Sequence, residues 1–334
     1  MAEIIVTVWP AISTPEKLIE LYNLGVRILR LNFTHYNPYS VAPMIDIISQ
    51  AESRLDGKFQ LMMDLEWPSI RTWNMDKSKV YKKWEKFKLF VDASKSEEKS
   101  LFCDYQWVVK DSKIWGIIRI ESGLFDCLVI EKWADYLLLE ALNDFEMTSR
   151  RHINLPGVHV DLPTITNEDK ENVLFAIKSW FSYVAISFCR SESDVRELRK
   201  FLSDNGWNQI KIISKIENQE WLDNIDSISE ASDVMMVARW DLGTELSLED
   251  LPEAQMKIIK TCKIKNTKVI VATQMMASMV SASSPTRAEV SDVFRAVREW
   301  ADYLMLSEET AVWQYPIQVV DMMKKIIEEA ESEE

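Results

Sequence analysis

Eight short apolar runs, spaced by stretches of helical periodicity, constrain this chain more than any other feature. The runs cover residues 4–8, 28–33, 59–65, 183–188, Lys211–Ile216, Val234–Ala238, Lys268–Ala272 and 301–306. Each is five to seven residues of mostly branched or bulky apolar side chains, the signature of a strand buried on both faces. Between them lie helical intervals at 41–54, 167–179, 192–203, 252–266, 287–299 and 316–329, the first preceded by a helix opened by Ser13 or Thr14 as cap and by Pro15. Alternating β and α units specify a parallel sheet, and eight of them specify an α/β fold of the (β/α)8 TIM-barrel class. The alternation breaks after strand three. Residues 77–99 are Lys-rich without clear period, and 101–139 show short alternating runs with a turn at Ser122-Gly123, closing near Asn154-Leu155-Pro156-Gly157. A small β-rich insertion is therefore expected at 73–155, with the barrel built from 1–72 and 156–334.

Barrels of this class carry their chemistry at the carboxyl ends of the strands. Here those ends bear Arg30 and Asn32, Asp64, Lys215 and Glu217, Asp241, Thr273, and Ser307 with Glu309. Side chains alternate along a strand, so Lys215 and Glu217 leave on one side, a cation beside a carboxylate. Asp241, after the next strand, adds a second acid. Two acids and a lysine suit a hydrated Mg²⁺ and a phosphate. Any one of these residues reads equally well as a surface group or an ion-pair partner; their convergence on one rim carries the argument.

The motifs at this rim form a recognisable set. Lys215-Ile216-Glu217-Asn218 and Ala238-Arg239-Trp240-Asp241-Leu242-Gly243 resemble the KIEN and ARGDLG motifs of the pyruvate kinase family. Arg30 to His35, Asp64 with Pro68 to Thr72, Ala272 to Met275, Pro285 to Glu289 and Leu306 to Thr310 resemble further motifs of that family, in the same order. The resemblance implies phosphoryl transfer from phosphoenolpyruvate to ADP, with Mg²⁺ and K⁺ as cofactors. It implies Glu217 and Asp241 as Mg²⁺ ligands, and Asn32, Thr34, Asp64 and the Leu65 carbonyl around K⁺. Lys215 and Arg30 are implied at the phosphoryl group, Thr273 and the backbone at Trp240 and Asp241 at the substrate carboxylate, and Ser307 and Glu309 among the catalytic groups. Asn32, His35, Arg71 and Arg151 fall where the family binds the nucleotide. The insertion corresponds to the family's lid domain. Because the sequence stops after helix eight, the family's C-terminal regulatory domain and its allosteric control are expected to be absent.

Composition narrows the partners. A net charge of −14 and a pI near 4.9 disfavour a nucleic-acid backbone as ligand. Four scattered cysteines lack metal-ligand spacing, and no apolar window approaches membrane-spanning length. A cytoplasmic protein with reduced thiols, acting on small molecules and forming at most a homo-oligomer through the barrel, is expected. The Met275–Met279 stretch is expected to pack in a loop or at a subunit contact.

One ratio departs from the pattern: 7 glycines against 13 tryptophans. Average usage of about 7% would give roughly three times as many glycines. Trp9, Trp67, Trp73, Trp133, Trp180, Trp221, Trp240, Trp300 and Trp313 stand where the resembled family has glycine. One base separates the glycine codon GGA from UGA, which some bacterial lineages read as glycine and others as tryptophan, so translation under the wrong code accounts for the exchange. If the indoles are real, turns are strained and the site is obstructed. Tyr36 and Glu308 for Gly, Glu66 for Lys and Ser69 for Glu are departures that no UGA explains. Two other classes of function therefore stand beside the kinase: a non-catalytic scaffold on the same barrel, and a Mg²⁺-dependent lyase of 2-oxo acids, against which the insertion and Arg71 weigh.

Overall fold

The computed structural model describes all residues except 9, 35–36, 66–68, 93, 96–98, 161, 188, 313–314 and 333–334. Eight strands close into a parallel barrel: β1 (Glu3–Thr7), β2 (Ile28–Asn32), β3 (Gln60–Asp64), β4 (Tyr183–Ile186), β5 (Lys211–Ile216), β6 (Val234–Ala238), β7 (Lys268–Ala272) and β8 (Tyr303–Leu306). Each pairs with its sequence neighbours, and β8 returns to β1 with Glu3 opposite Tyr303. β1 is shifted one residue toward the N-terminus, the β2, β3, β4 and β8 bounds are shorter than expected by one to two residues at an end, and β5, β6 and β7 fall as expected.

Helices cover the outside: α1 (Pro15–Asn23), α2 (Pro38–Glu52), α3 (Asn167–Lys178), α4 (Glu192–Asp204), α5 (Gln219–Asp223), α6 (Ile225–Ala231), α7 (Arg239–Glu245), α8 (Leu251–Lys265), α9 (Arg287–Arg298), α10 (Glu308–Ala311) and α11 (Pro316–Ser332). Their starts follow capping chemistry. Thr14 caps α1 by accepting from the Lys17 N–H, with Pro15 in the first turn. The second helix begins at Pro38 rather than 41 because Asn37 and Ser40 form a reciprocal box that pulls Pro38, Tyr39 and Ser40 into the first turn.

Between β3 and α3 the chain leaves the barrel and forms a seven-stranded sheet and a two-stranded one. The Lys-rich stretch that lacks clear period is itself part of them, as strands Lys79–Tyr81 and Lys86–Phe90. Its period of two is real: Phe87 and Leu89 are buried and paired with Leu139 and Leu137, and lysines alternate with them. Inside the barrel, Ile5, Ile28, Met62, Ile213, Val234, Met236, Ile270 and Met305 form a compact apolar layer. Met275, Met276 and Met279 are buried and pack into the larger core around the barrel. No described helix is long and apolar enough to cross a membrane, and the four cysteines are buried thiols.

Candidate active site

The carboxyl rim of the barrel holds an ion cluster whose members come from four strands. At the end of β3, Asp64 is 2% exposed. Its Oδ2 accepts from Arg30 Nε at 2.7 Å, and its Oδ1 lies 3.4 Å from Lys215 Nζ. Burial pushes the Asp64 carboxyl up, but the Lys215 and Arg30 charges together outweigh it and hold the group below its ordinary range. Lys215 Nζ also lies 2.9 Å from Glu217 Oε1 and donates to Ser187 Oγ at 2.8 Å. For this lysine, burial acts downward, yet the charges of Asp64, Glu217 and Asp241 raise it well above the usual value. Lys215 is thus a fixed cation, suited to electrostatic work and unsuited to proton transfer near neutral pH. The expected adjacency of Lys215 and Glu217 is realised through the strand alternation.

Asp241 follows β6 in the first turn of α7. Burial first, then the Glu217 charge, pushes it up to about 7, with Lys215 opposing. A carboxylate held in that state beside a second buried acid is the donor set a hard divalent cation neutralises, so the two residues fit an oxygen-coordinated metal. On the neighbouring strands Asn32 sits opposite Asp64 in register, and its Oδ1 accepts from the Thr34 N–H at 3.1 Å. The Leu65 carbonyl accepts from Ser187 Oγ at 3.3 Å. Asn32, Thr34, Asp64 and Leu65 are therefore gathered at one point of the rim, with both Asp64 oxygens already facing cationic side chains.

Thr273, after β7, adopts φ 67° and Gln274 φ 53°. Left-handed backbone is unfavourable for a β-branched residue and persists only where surroundings impose it. Arg239 imposes it here. This side chain is 7% exposed, and its Nε and Nη2 donate to the Thr273 carbonyl at 3.1 and 2.6 Å while Nη1 pairs with Asp292 at 2.6 Å. The Thr273 hydroxyl in turn accepts the Trp240 N–H at 2.9 Å. Thr273, Trp240, Ser307, Glu308 and Glu309 line a cleft of about 450 Å³. Glu309, 2% exposed, accepts the Ser307 N–H at 2.8 Å and the Met276 N–H at 3.2 Å, so its carboxylate ties two loops together.

Of the nucleotide-side candidates, Asn32 ends β2 in the barrel, while Arg71 and Arg151 lie at the inserted sheet. Arg71 stands opposite His152 on an edge pair, next to Arg151, whose guanidinium pairs with Glu121 at 2.7 Å. Arg71 Nε donates to Ser69 Oγ at 2.9 Å. His35, Tyr36 and Glu66 lie outside the described residues. Four positioning residues escape a reading of the sequence alone: Thr7, which accepts from Arg30 at 2.9 Å, Ser187, Arg239 and Asp292. Thr7 and Ser187 were findable, as polar residues closing apolar strands; the pairing of Arg239 with Asp292 spans 53 positions and leaves no local signal.

Comparison with known proteins bears on this site. A family model described as pyruvate kinase, barrel domain, matches residues 1–320. A pyruvate kinase of Borreliella burgdorferi is 36% identical over 99% of this chain and 68% of its own length. One of Geobacillus stearothermophilus is 37% identical over 97% of this chain and 56% of its own. The crystal structure of a pyruvate kinase from Cryptosporidium parvum superposes with a TM-score of 0.96 at 35% identity, covering 99% of this chain and 69% of that one. The chain thus spans little more than half to two thirds of the length of the relatives it matches.

Proposed function

Because the chain belongs to the pyruvate kinase family, we propose that it moves the phosphoryl group of phosphoenolpyruvate to ADP and protonates the resulting enolate, giving ATP and pyruvate. The observation that carries this reading is the Lys215–Asp64–Glu217 cluster with Arg30 against it, a buried set of fixed charges at the catalytic end of the barrel. Family membership brings dependence on a divalent and a monovalent cation; Mg²⁺ at Glu217 and Asp241, and K⁺ near Asn32, Thr34, Asp64 and Leu65, are the specific ions proposed. A divalent cation bound there neutralises phosphate and carboxylate charge.

The chain's own residues do the rest. Lys215 stays protonated and faces the transferring group, and Arg30 is held by Asp64 and Thr7 with its remaining donors for a phosphate oxygen. Thr273, fixed by Arg239, presents its hydroxyl to the cleft where the substrate carboxylate and enolate would lie. Arg71 and Arg151 approach from the lid as nucleotide-side groups.

One observation favours the scaffold reading for the sequence as written. The Trp240 indole stands at the cleft, 48% exposed, and donates to Ser122 Oγ of the insertion at 3.1 Å, bridging rim and lid where a substrate would enter. A pyruvate-detecting assay with phosphoenolpyruvate, ADP, Mg²⁺ and K⁺ separates the two. Turnover that vanishes without divalent cation is expected. Metal and phosphoenolpyruvate binding without pyruvate would replace the kinase by the scaffold.

A further inference from the structure

Helix ends expose a second consequence of the glycine shortage, independent of the activity. Five of the outer helices finish in the same closure, in which the N–H just past the helix reaches back three residues and the next N–H reaches back five, with the intervening residue left-handed. After α1 the left-handed residue is Gly25, φ 102°, its N–H on the Tyr22 carbonyl and the Val26 N–H on Leu21, each at 3.0 Å. After α4 it is Gly206, φ 80°, with bonds of 2.9 Å from Gly206 to Ser203 and from Trp207 to Leu202. After α8 it is Asn266, φ 56°, the residue type that tolerates this backbone best after glycine.

The remaining two closures carry tryptophan. After α3, Trp180 has φ 59°, its N–H on Ile177 at 3.3 Å and the Phe181 N–H on Ala176 at 3.0 Å. After α9, Trp300 has φ 71°, its N–H on Val297 at 2.9 Å and the Ala301 N–H on Ala296 at 3.1 Å. Nothing within 4 Å would meet a Cβ at Gly25 or Gly206. The slot thus demands glycine for its backbone, not for space.

Turns in the insertion and at its exit repeat the pattern. Pro156-Gly157 makes a four-residue turn closed by the Val158 N–H on Leu155 at 3.0 Å, with Gly157 left-handed at φ 68° in its third place. That place wants glycine. Trp84, φ 71°, fills it in the turn from Lys82 to Glu85, and Trp115, φ 66°, in the turn from Lys113 to Gly116. The four indoles are among the most exposed large apolar side chains of the described residues, at 62%, 69%, 76% and 60% for Trp84, Trp115, Trp180 and Trp300. They are in the conformation that costs a bulky residue most, and burial gives little back.

We propose that Trp84, Trp115, Trp180 and Trp300 are glycine in the protein its host makes, their codons being UGA read as glycine rather than as tryptophan. Positions 84 and 115 are reached from backbone geometry alone. Carried to position 240, the same reading removes the indole that stands on Ser122 and clears the space it takes in the cleft beside Thr273. Trp221 differs from all of these, being wholly buried.

The gene and the protein test this in turn. UGA is expected at codons 84, 115, 180, 300 and 240; UGG at 84, 115, 180 or 300 overturns the proposal, and UGG at 240 overturns its extension to the site. Peptides from the host's protein are then expected to weigh as glycine at those positions, and tryptophan masses overturn it. A recombinant measurement isolates the backbone argument. Replacing the four together by glycine raises the melting temperature by about 2 °C or more per residue. Trp107→Gly, an exposed tryptophan at φ −93°, is the control and produces no rise. Equal behaviour of the two variants overturns the assignment.

Discussion

Along four strands of the barrel, one pleat step separates hydrocarbon from charge. Ile5, Ile28, Met62 and Ile213 belong to the packed layer inside the barrel; two residues further on the same faces stand Thr7, Arg30, Asp64 and Lys215. The lower layer excludes water and contributes burial; the upper one carries charges that the layer beneath keeps poorly solvated. The ion cluster gains strength from that floor, because Coulombic attraction grows as water is excluded. Division of labour between the two levels predicts that substitutions in one cost stability and in the other cost activity.

The largest effect is expected from Lys215→Met. Removing the central cation should lower turnover by about 10³-fold, the scale seen when one preorganised electrostatic group is lost. It also leaves Asp64 and Glu217 facing each other with less compensation, so about 3 kcal/mol of stability goes with it. Steady-state rates on variant shown by circular dichroism to be folded check this; activity within tenfold of the parent would remove Lys215 from the chemistry. One pleat lower, Ile213→Ala should do the reverse. A cavity in a fully packed layer costs about 2–5 kcal/mol by denaturant titration, with turnover preserved well below the melting temperature. Should Ile213→Ala depress turnover as severely as it depresses stability, the two levels are not separable.

Arg239→Met probes the link between them. Without the guanidinium the Thr273 carbonyl loses both its donors and the left-handed backbone relaxes. Misplacing that hydroxyl by a fraction of an ångström should reduce turnover by about 10²-fold, with the KM for phosphoenolpyruvate rising more than that for ADP. A variant in which both constants move together would show Arg239 to be a general support of the rim rather than a positioner of Thr273.

What could be read without coordinates follows the range of the signal. The barrel is legible because each strand announces itself within five or six residues, and capping chemistry marks the start of α1 to within a residue at Thr14. Lys215 and Glu217 are legible as a pair because alternation is local. Strands Lys79–Tyr81 and Lys86–Phe90 were hidden since lysine on the outward face masks the period, although Phe87 and Leu89 keep it. Contacts such as Arg239 with Asp292, or Ser187 with Lys215, depend on which strand neighbours which and where each loop returns. The tryptophans are a different case: composition flags the shortage of glycine, but only φ tells which of them occupy left-handed slots.

The smallest expected effect tests whether the insertion is coupled to the barrel by the same electrostatics. Glu245 ends α7 and accepts from Asn154 Nδ2, in the chain segment returning from the insertion, at 2.9 Å. Burial raises its carboxyl from 4.5 to about 7, with the Asn154 hydrogen bond and the Arg119 charge opposing. The folded state therefore holds a proton that the unfolded chain releases. Stability from this group is greatest below pH 4.5, declines as pH rises toward 7, and stays reduced above it. Because the side chain keeps some solvent contact, the loss is on the order of 1 kcal/mol. Glu245→Gln retains an oxygen for Asn154 and cannot ionise, so it should be more stable than the parent at pH 8 and equal to it near pH 4. Urea midpoints at the two pH values decide: parallel curves for parent and variant would mean that Glu245 ionises freely, and that the rim's buried charges end at Asp241.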